Sequence, residues 1–243
     1  MNISELNIVI PMAGKSNRFF QAGYEDFKYK LKINGESLFS RSLDTFHNYY
    51  QTGIFHFGYI GKYVDKKFIE KELIDKGIKN YRLVDLEFDT SGQAETVFKT
   101  IKTINNDFPL VVFNIDTKRK NFILNSKKIG LEGYVEVFQG EGDNWSFIRL
   151  NNHDEIIEVT EKIRISDLCS NGMYVFKNIE TFKLAYNNTY SRGLNDYNET
   201  YLMPIYNYFI ERKLSIGYEI VDINEHEFFG TPIEYESLKN KYE

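Results

Sequence analysis

Cysteine is almost missing from this chain. Of its 243 residues only Cys169 is a cysteine. A disulfide within the chain is therefore impossible, and neither a thiolate zinc cluster nor a paired redox motif is available. We expect a protein of the reducing cytoplasm.

An excess of positive charge is missing as well. Lys and Arg number 30 against 35 Asp and Glu, which gives a formal net charge of -5. Because proteins that wrap nucleic acid carry a broad basic surface, we expect no nucleic-acid partner. The apolar stretch near the N-terminus is short and follows no basic region, and no later run reaches membrane-spanning length. We therefore expect neither a signal peptide nor membrane association.

Several common catalytic motifs are also absent. The Gly-Lys-Ser at 14–16 lacks the spaced first glycine of a Walker loop, and it is not part of a GxGxxG pattern. The histidines have no ligand-like spacing, so we expect each to be structural or exposed; they are His47, His56, His153 and His226. Chemistry by a histidine-activated nucleophile or a catalytic cysteine is not indicated.

The apolar pattern of the first half alternates between strands and helices. Continuous β-rich runs predict strands at 6–10, 54–60, 80–84 and 109–115, and helical spacing predicts helices over 39–50, 64–74 and 94–101. Such alternation is typical of an α/β, Rossmann-like fold with a mostly parallel central sheet flanked by helices. Ligands bind such sheets beyond the carboxyl ends of the strands.

From residue 131 the pattern changes to short strand-like pieces separated by turn residues. We predict a more β-rich second half with a helix over 199–212 despite Pro204, a strand over 216–223 and a final helix beginning at Thr231-Pro232. The length and the 42% hydrophobic content allow one sizeable core. We predict a single domain over 1–243.

The loop after the first strand has the composition of a phosphate-binding turn. A glycine lets backbone N–H groups approach phosphate oxygens, and an arginine can bind two oxygens at once. An ordinary turn with solvated Lys15 and Arg18 would explain this segment alone equally well. The residues concerned are Met12, Ala13, Gly14, Lys15, Ser16 and Arg18.

Two further segments are predicted to lie at the carboxyl ends of the strands of the central sheet. Asp116 follows the buried strand PLVVFNI, where a carboxylate could hold Mg²⁺ against phosphate oxygens; a turn former is the competing interpretation. Gln93 opens a helix after Gly92 and can donate and accept hydrogen bonds toward a base edge. A helix start capped by Ser91 is the alternative.

Taken in order, these segments resemble the sugar-nucleotidyltransferase superfamily. Its opening pattern is an apolar strand, a Gly-rich turn ending in Arg-Phe, a later lysine and a hydrophobic-X-Gly-X-Pro segment; the chain has IVIPMAGKSNRF, FKYK and LKINGESLF. The resemblance implies that Arg18 and Lys28 hold a triphosphate, that the Gly92 turn reads base and ribose, and that Asp116 binds Mg²⁺ or Mn²⁺. The flanking prolines of the superfamily's lysine are absent, so Lys30 and Lys32 remain alternatives to Lys28.

The resemblance continues into the second half and implies a nucleotide-binding part over about 1–130 and an acceptor-binding part over about 131–243. An exposed Glu-Lys pair is usually only solvated surface, and an acidic residue also suits a helix start. The acceptor-binding residues that the resemblance implies are Glu161, Lys162, Asn171 and Gly172, and Glu199 at the start of the later predicted helix could also orient an acceptor.

The closing Gly230-Thr231-Pro232 also matches the superfamily, with one departure. Many members place a second metal-binding aspartate two residues before this glycine, where the chain has Phe228. Glu227 is the candidate replacement, and water is the alternative ligand.

The activity implied is transfer of a nucleoside monophosphate from a triphosphate, with CTP favoured, to a small phosphorylated acceptor, with release of pyrophosphate. Acceptors considered are sugar phosphates, phosphoglutamine, phosphocholine and glycerol phosphate, in surface-polysaccharide synthesis. One alternative is a GT-A glycosyltransferase using a nucleotide sugar, although its usual Asp-X-Asp is absent at Asn114-Ile115-Asp116. The other is a nucleotide-binding regulatory protein without turnover.

Overall fold

The computed structural model describes residues 5–190 and 199–243. The strands of this part of the chain are β1 (Asn7–Met12), β2 (Lys32–Ile33), β3 (Glu36–Ser37), β4 (Ile54–Tyr59), β5 (Tyr81–Asp85), β6 (Leu110–Val112), β7 (Thr117–Arg119), β8 (Gly133–Gln139), β9 (Ser146–Leu150), β10 (Ile156–Glu161), β11 (Leu168–Phe176), β12 (Ile216–Ile220) and β13 (His226–Phe228).

The α-helices of the described residues are α1 (Asn17–Gln21), α2 (Leu38–Leu43), α3 (Lys66–Asp75), α4 (Gln93–Thr100), α5 (Ile179–Tyr190), α6 (Asn207–Glu211) and α7 (Pro232–Tyr242). Short 3-10 turns cover Lys28–Lys30, Asp44–Tyr49, Ser126–Lys128, Met203–Tyr206 and Ile223–Glu225. Within 5–190 and 199–243, no helix has the length and apolar character needed to cross a membrane.

The first half of the chain forms the parallel part of a nine-stranded sheet. β1 lies between β6 and β4, and β4 pairs with β5, all in parallel register. Alternate residues of β1 enter two separate cores, Ile8 and Ile10 on the side of α2 and α3, and Val9 on the side of α4 and α5. A strand covered on both faces needs a continuous apolar run, which explains why the first strand could be recognised. The predicted Rossmann-like α/β fold is confirmed.

The second half extends the same sheet with antiparallel strands. β11 pairs with β6 and β8, β9 pairs with β10, and β12 lies parallel to β8. The register of β11 against β8 shifts between Ser170 and Tyr174, which marks a bulge. This bulge lies beside the carboxyl end of β6, because β11 runs past that end in the opposite direction.

Some predicted elements are wrong in detail. The predicted helix over 199–212 is a 3-10 turn at Met203–Tyr206 followed by the short α6, and Pro204 occupies the start of the turn, where its missing N–H costs nothing. The predicted helix over 39–50 divides into α2 and a 3-10 segment in which Phe46 leaves helical geometry. The predicted strand over 216–223 ends at Ile220.

Candidate active site

The loop after β1 and the end of β6 meet at Lys28. The backbone N–H of Lys28 donates to Ser16 Oγ over 3.1 Å, and its Nζ lies 2.8 Å from Asp116 Oδ2. Since β1 and β6 are parallel neighbours, their carboxyl ends face the same edge of the sheet. The structure therefore brings the predicted phosphate loop and the predicted metal ligand to one crevice.

The groups of this loop that we predict to bind phosphate are open to solvent. Gly14 is exposed, and no atom lies within 4 Å of the position that a Cβ would take there. Ser16 adopts a left-handed conformation with φ 55° just before α1 begins. Arg18 is exposed, and its guanidinium has no hydrogen-bonding or ionic partner in the described part of the chain. Backbone and guanidinium are thus available to an anion.

The neighbours of these groups are engaged elsewhere. Met12 is buried at the end of β1, and Ala13 is half-buried. Lys15 Nζ forms an ion pair with Asp89 Oδ2 at 2.5 Å, and the hydrogen bond to this carboxylate raises the pKa of Lys15. Lys15 therefore faces the rim of the crevice formed after β5.

Of the three candidate lysines, the structure directs Lys28 inward. Lys30 Nζ lies 3.1 Å from Asp65 Oδ2 and over the ring of Phe68. Lys32 is exposed on β2. Tyr29, between Lys28 and Lys30, is buried in the core. Its fixed position directs the side chains of Lys28 and Lys30 to different partners.

Asp116 borders the space beside Gly230, which a Cβ at that position would crowd. A Cβ at Gly230 would lie 3.0 Å from Asp116 Oδ2, and the N–H of Phe229 donates to the Asp116 carbonyl over 3.0 Å. Mg²⁺ commonly binds proteins through one or two carboxylates, completing its shell with water and phosphate oxygens. Asp116 and the space at Gly230 fit such a cation. Across the described ranges, no group of three or more His, Cys, Asp and Glu residues could form a metal site without substrate.

Glu227 is not brought to Asp116. Its carboxylate lies 2.8 Å from Arg41 and accepts a hydrogen bond from Tyr242 over 2.5 Å, with its side chain only 3% exposed. Burial acts to raise the pKa of Glu227, but the hydrogen bonds from Tyr242 and Arg41 outweigh burial and hold this pKa below its ordinary value. Alternate residues of a strand face opposite sides, so Phe228 turns toward another cluster. The structure gives Glu227 a buried ion pair in place of the predicted metal contact.

The predicted base-reading turn lies beside this site. Gln93 opens α4, and its Nε2 donates to Asn114 Oδ1. A Cβ at Gly92, whose φ is 155°, would lie 2.5 Å from the backbone of Thr200, so only glycine fits. Sequence reasoning missed Asn114 as a site residue, although its period-two spacing with Asp116 in an apolar strand was a signal.

Two of the predicted acceptor residues have identifiable neighbours, Asn114 for Gly172 and Tyr201 for Lys162. Gly172 adopts φ +87° in the bulge of β11, and a Cβ there would lie 2.7 Å from Asn114 Nδ2. Lys162 Nζ donates to Tyr201 Oη over 2.6 Å and lies 4.5 Å from the centre of its ring. Tyr201 is a second residue that sequence reasoning missed, since nothing in its local pattern separates it from a core tyrosine.

Two carboxylates, Glu161 and Glu199, lie close enough to interact electrostatically. Glu161 is buried and accepts a hydrogen bond from Ser146. Burial raises the pKa of Glu161, and the charge of Glu199 acts in the same direction. Burial also raises the pKa of Tyr201, and the charge of Glu199 acts in the same direction. The structure thus brings Glu161, Lys162 and Glu199 together.

Asn171 is directed away from the crevice. Its side chain is buried, with Nδ2 lying 2.8 Å from Glu136 Oε2 and 2.9 Å from His226 Nε2. Burial lowers the pKa of His226 to about 4, so this ring is neutral near pH 7. Asn171 Oδ1 accepts from the N–H of Met173 across the bulge. These contacts fix Asn171 and thereby support the conformation of the adjacent Gly172 from the buried side of the sheet.

Comparisons with known proteins bear on the fold and the family. The chain is similar to the solved nucleoside-diphosphate-sugar pyrophosphorylase from Vibrio cholerae, with 37% identity over 96% of this chain and 99% of that chain, and a TM-score of 0.90. It shares its fold with the inositol-1-phosphate CTP transferase from T. maritima, at 13% identity over 98% and 96% of the two chains and a TM-score of 0.74. No protein-family model and no curated protein sequence matches it.

Proposed function

Because the chain belongs to the sugar-nucleotidyltransferase family, together with the pyrophosphorylase from Vibrio cholerae, we propose that it transfers a nucleoside monophosphate from a triphosphate to a sugar phosphate or similar phosphorylated acceptor. Pyrophosphate is the second product. One observation carries this proposal: Lys28 contacts both Ser16 in the loop after β1 and Asp116 after β6. A single polyphosphate can therefore contact both segments.

The residues of the crevice supply positioning and positive charge. An oxygen of the acceptor phosphate attacks the α-phosphorus, and pyrophosphate leaves from the opposite side. An ionised phosphate needs no general base, so charge neutralisation and alignment provide most of the rate enhancement. We assign the triphosphate to Arg18, Lys28 and the backbone of 13–16, and the acceptor phosphate to Lys162.

We assign a divalent cation, Mg²⁺ or Mn²⁺, to Asp116 in the space bordered by Gly230. Such a cation neutralises charge on the phosphate oxygens and orients the leaving group. The carboxylate of Asp116 holds its place because the N–H of Phe229 fixes the Asp116 backbone.

We favour CTP as the donor. Gln93 uses its Nε2 to donate to Asn114, which leaves its Oε1 to accept a hydrogen bond from a base. The N4 amine of cytosine is a donor of the required kind. We propose a role in surface-polysaccharide synthesis in the cytoplasm, with phosphoglutamine, phosphocholine and glycerol phosphate as further acceptors.

A pyrophosphate-release assay tests the activity. Each of the four triphosphates is incubated with glucose 1-phosphate, glycerol 3-phosphate, phosphocholine or phosphoglutamine, and the coupled product is identified by mass spectrometry. We expect pyrophosphate only when both substrates are present, with CTP the best donor. In a parallel reaction supplied with a nucleotide sugar, release of free nucleoside diphosphate would instead support a glycosyltransferase. Nucleotide binding without turnover in either reaction would support a regulatory protein.

A matched pair of variants tests the observation itself. Lys28→Met removes the ammonium group that contacts Asp116, whereas Lys32→Met removes an equal charge from an exposed position on β2. We expect the first to lower turnover by at least about 100-fold and the second to leave it nearly unchanged. Equal effects would contradict the role of Lys28.

A further inference from the structure

Lys28 already forms an ion pair with Asp116, the carboxylate to which we assign the cation. Its Nζ lies 2.8 Å from Asp116 Oδ2, the oxygen that borders the space at Gly230. The two side chains are 22% and 29% exposed, so this ion pair is partly shielded from water. Together the two groups carry no net charge.

Among residues 5–190 and 199–243, the ion pair of Lys28 and Asp116 has no second carboxylate as a partner. Glu227, the second ligand that the resemblance suggested, is paired with Arg41 and Tyr242. Phe228 packs against Phe138 and Trp145, with ring centroids 5.3 and 5.0 Å away. A divalent cation approaching the nucleotide-free crevice therefore meets one carboxylate that a lysine has already paired. Hard cations bind weakly to so few free oxygen ligands.

We propose that Lys28 gates cation binding: it blocks Asp116 in the nucleotide-free protein and leaves Asp116 when a triphosphate arrives. The backbone of Lys28 is fixed by Ser16 Oγ, but its four-carbon side chain can redirect the ammonium group to phosphate oxygens nearby. Asp116 and the phosphates then form the cation site jointly. This inference rests on the proposed function, since it takes the polyphosphate as the group that attracts Lys28.

The test is a titration of nucleotide-free protein with Mn²⁺, in which electron paramagnetic resonance measures the concentration of free Mn²⁺ at each step. We expect Lys28→Met to bind Mn²⁺ at least about tenfold more tightly than the unaltered chain, because Asp116 is released. Lys28→Gln, which is uncharged but polar, must show the same gain. The double variant Lys28→Met with Asp116→Asn must lose the gain, which locates the bound ion.

Lys30→Met is the matched control. Lys30 belongs to the same turn, but its Nζ pairs with Asp65, so its loss changes the net charge without releasing Asp116. We expect its Mn²⁺ affinity to equal that of the unaltered chain. A similar gain in Lys30→Met, or no gain in Lys28→Met and Lys28→Gln, would overturn the proposal. Circular dichroism confirms that each variant is folded.

A second titration examines the triphosphate. The affinity for α,β-methylene-CTP is measured with and without Mn²⁺, because coupling between two ligands is reciprocal. We expect Mn²⁺ to strengthen binding of this probe more in the unaltered chain than in Lys28→Met, and an equal effect in both would count against the gate. The first titration needs no turnover. A gain in Mn²⁺ affinity in Lys28→Met, together with no pyrophosphate release by the unaltered chain in the activity assay, would therefore refute the proposed function and keep the gate.

Discussion

Asn114 and Asp116 follow β6, two residues apart, and contact Gln93 and Lys28, respectively. The apolar strand before Asp116 made that residue recognisable from sequence, because a lone carboxylate there has few other reasons to exist. Asn114 was overlooked because its contacts, with Gln93 and Gly172, come from segments far away in the chain. Tyr201 was overlooked for the same reason, since Lys162 is its observed partner.

Replacement of Asp116 by asparagine tests the metal assignment. Asparagine keeps the shape of the side chain but loses the charge, so we expect pyrophosphate release to fall by at least about 100-fold. Its partner Lys28 is partly exposed, so the melting temperature should change by only a few degrees. Turnover and thermal unfolding by circular dichroism are the measurements. Full activity in Asp116→Asn would refute the assignment.

Lys162 tests the acceptor side separately. We expect Lys162→Met to raise the KM for the acceptor by about tenfold or more and to leave the KM for the triphosphate unchanged, because we assign Lys162 to the acceptor phosphate and Arg18 and Lys28 to the triphosphate. Steady-state kinetics in both substrates measure this split. Lys177→Met is the control, since Lys177 pairs with Glu132 on an exposed surface. A rise in the KM of the triphosphate would contradict the assignment.

At the scale of elements, the bulge in β11 shapes the acceptor side more than any helix does. It places Gly172 against Asn114, and Asn171 holds it from the buried side through Glu136 and His226. The sequence indicated an apolar strand here but gave no sign of the extra residues. Bulges depend on pairing with a partner strand, and no local pattern specifies that partner.

Gly172→Ala tests the bulge. Its φ of +87° is unfavourable for alanine, and the added Cβ would lie 2.7 Å from Asn114 Nδ2. We expect a loss of about 1–3 kcal/mol in the free energy of unfolding, together with a raised acceptor KM. Urea denaturation and kinetics measure the two effects. Gly130→Ala is the control, because no atom lies within 4 Å of its added Cβ.

Two helical segments show that tertiary packing can outweigh the local apolar pattern. Apolar spacing predicted one helix over 39–50, but Phe46 enters a cluster of aromatic rings and leaves helical geometry to do so. The segment 179–190, which no sequence pattern assigned, forms α5 because Phe182 and Ala185 complete a core beneath the sheet. Tertiary contacts override weak local preference in both cases.

At the scale of the whole molecule, a buried ion pair links distant parts of the chain. Arg41 on α2 contacts Glu227 on β13 and lies 4.8 Å from the ring of Tyr242 at the end of α7. Arg41 also donates to the Ile33 carbonyl. These contacts hold β13, and with it the segment of Gly230, against the first half of the chain.

Glu227→Gln tests this link through its pH dependence. The folded pKa of Glu227 lies below its ordinary value, so its ionised form stabilises the fold above about pH 4.3, and that contribution is lost as pH falls through the folded pKa. We expect the variant to lose about 2–4 kcal/mol of unfolding free energy at pH 7, and the difference to narrow in acid. Urea denaturation at several pH values measures it, with exposed Glu211→Gln as control. A difference independent of pH would contradict the ionic role of Glu227.

The sequence by itself determined the alternating α/β order, the position of the Gly-containing loop after β1 and the carboxylate after β6. These features lie within short segments, where apolar periodicity and residue type are sufficient evidence. Only the tertiary structure decided that Lys28, and neither Lys30 nor Lys32, faces Asp116, and that Glu227 binds Arg41. The direction of a side chain depends on which distant segment packs against its backbone, and that information is spread over the whole chain.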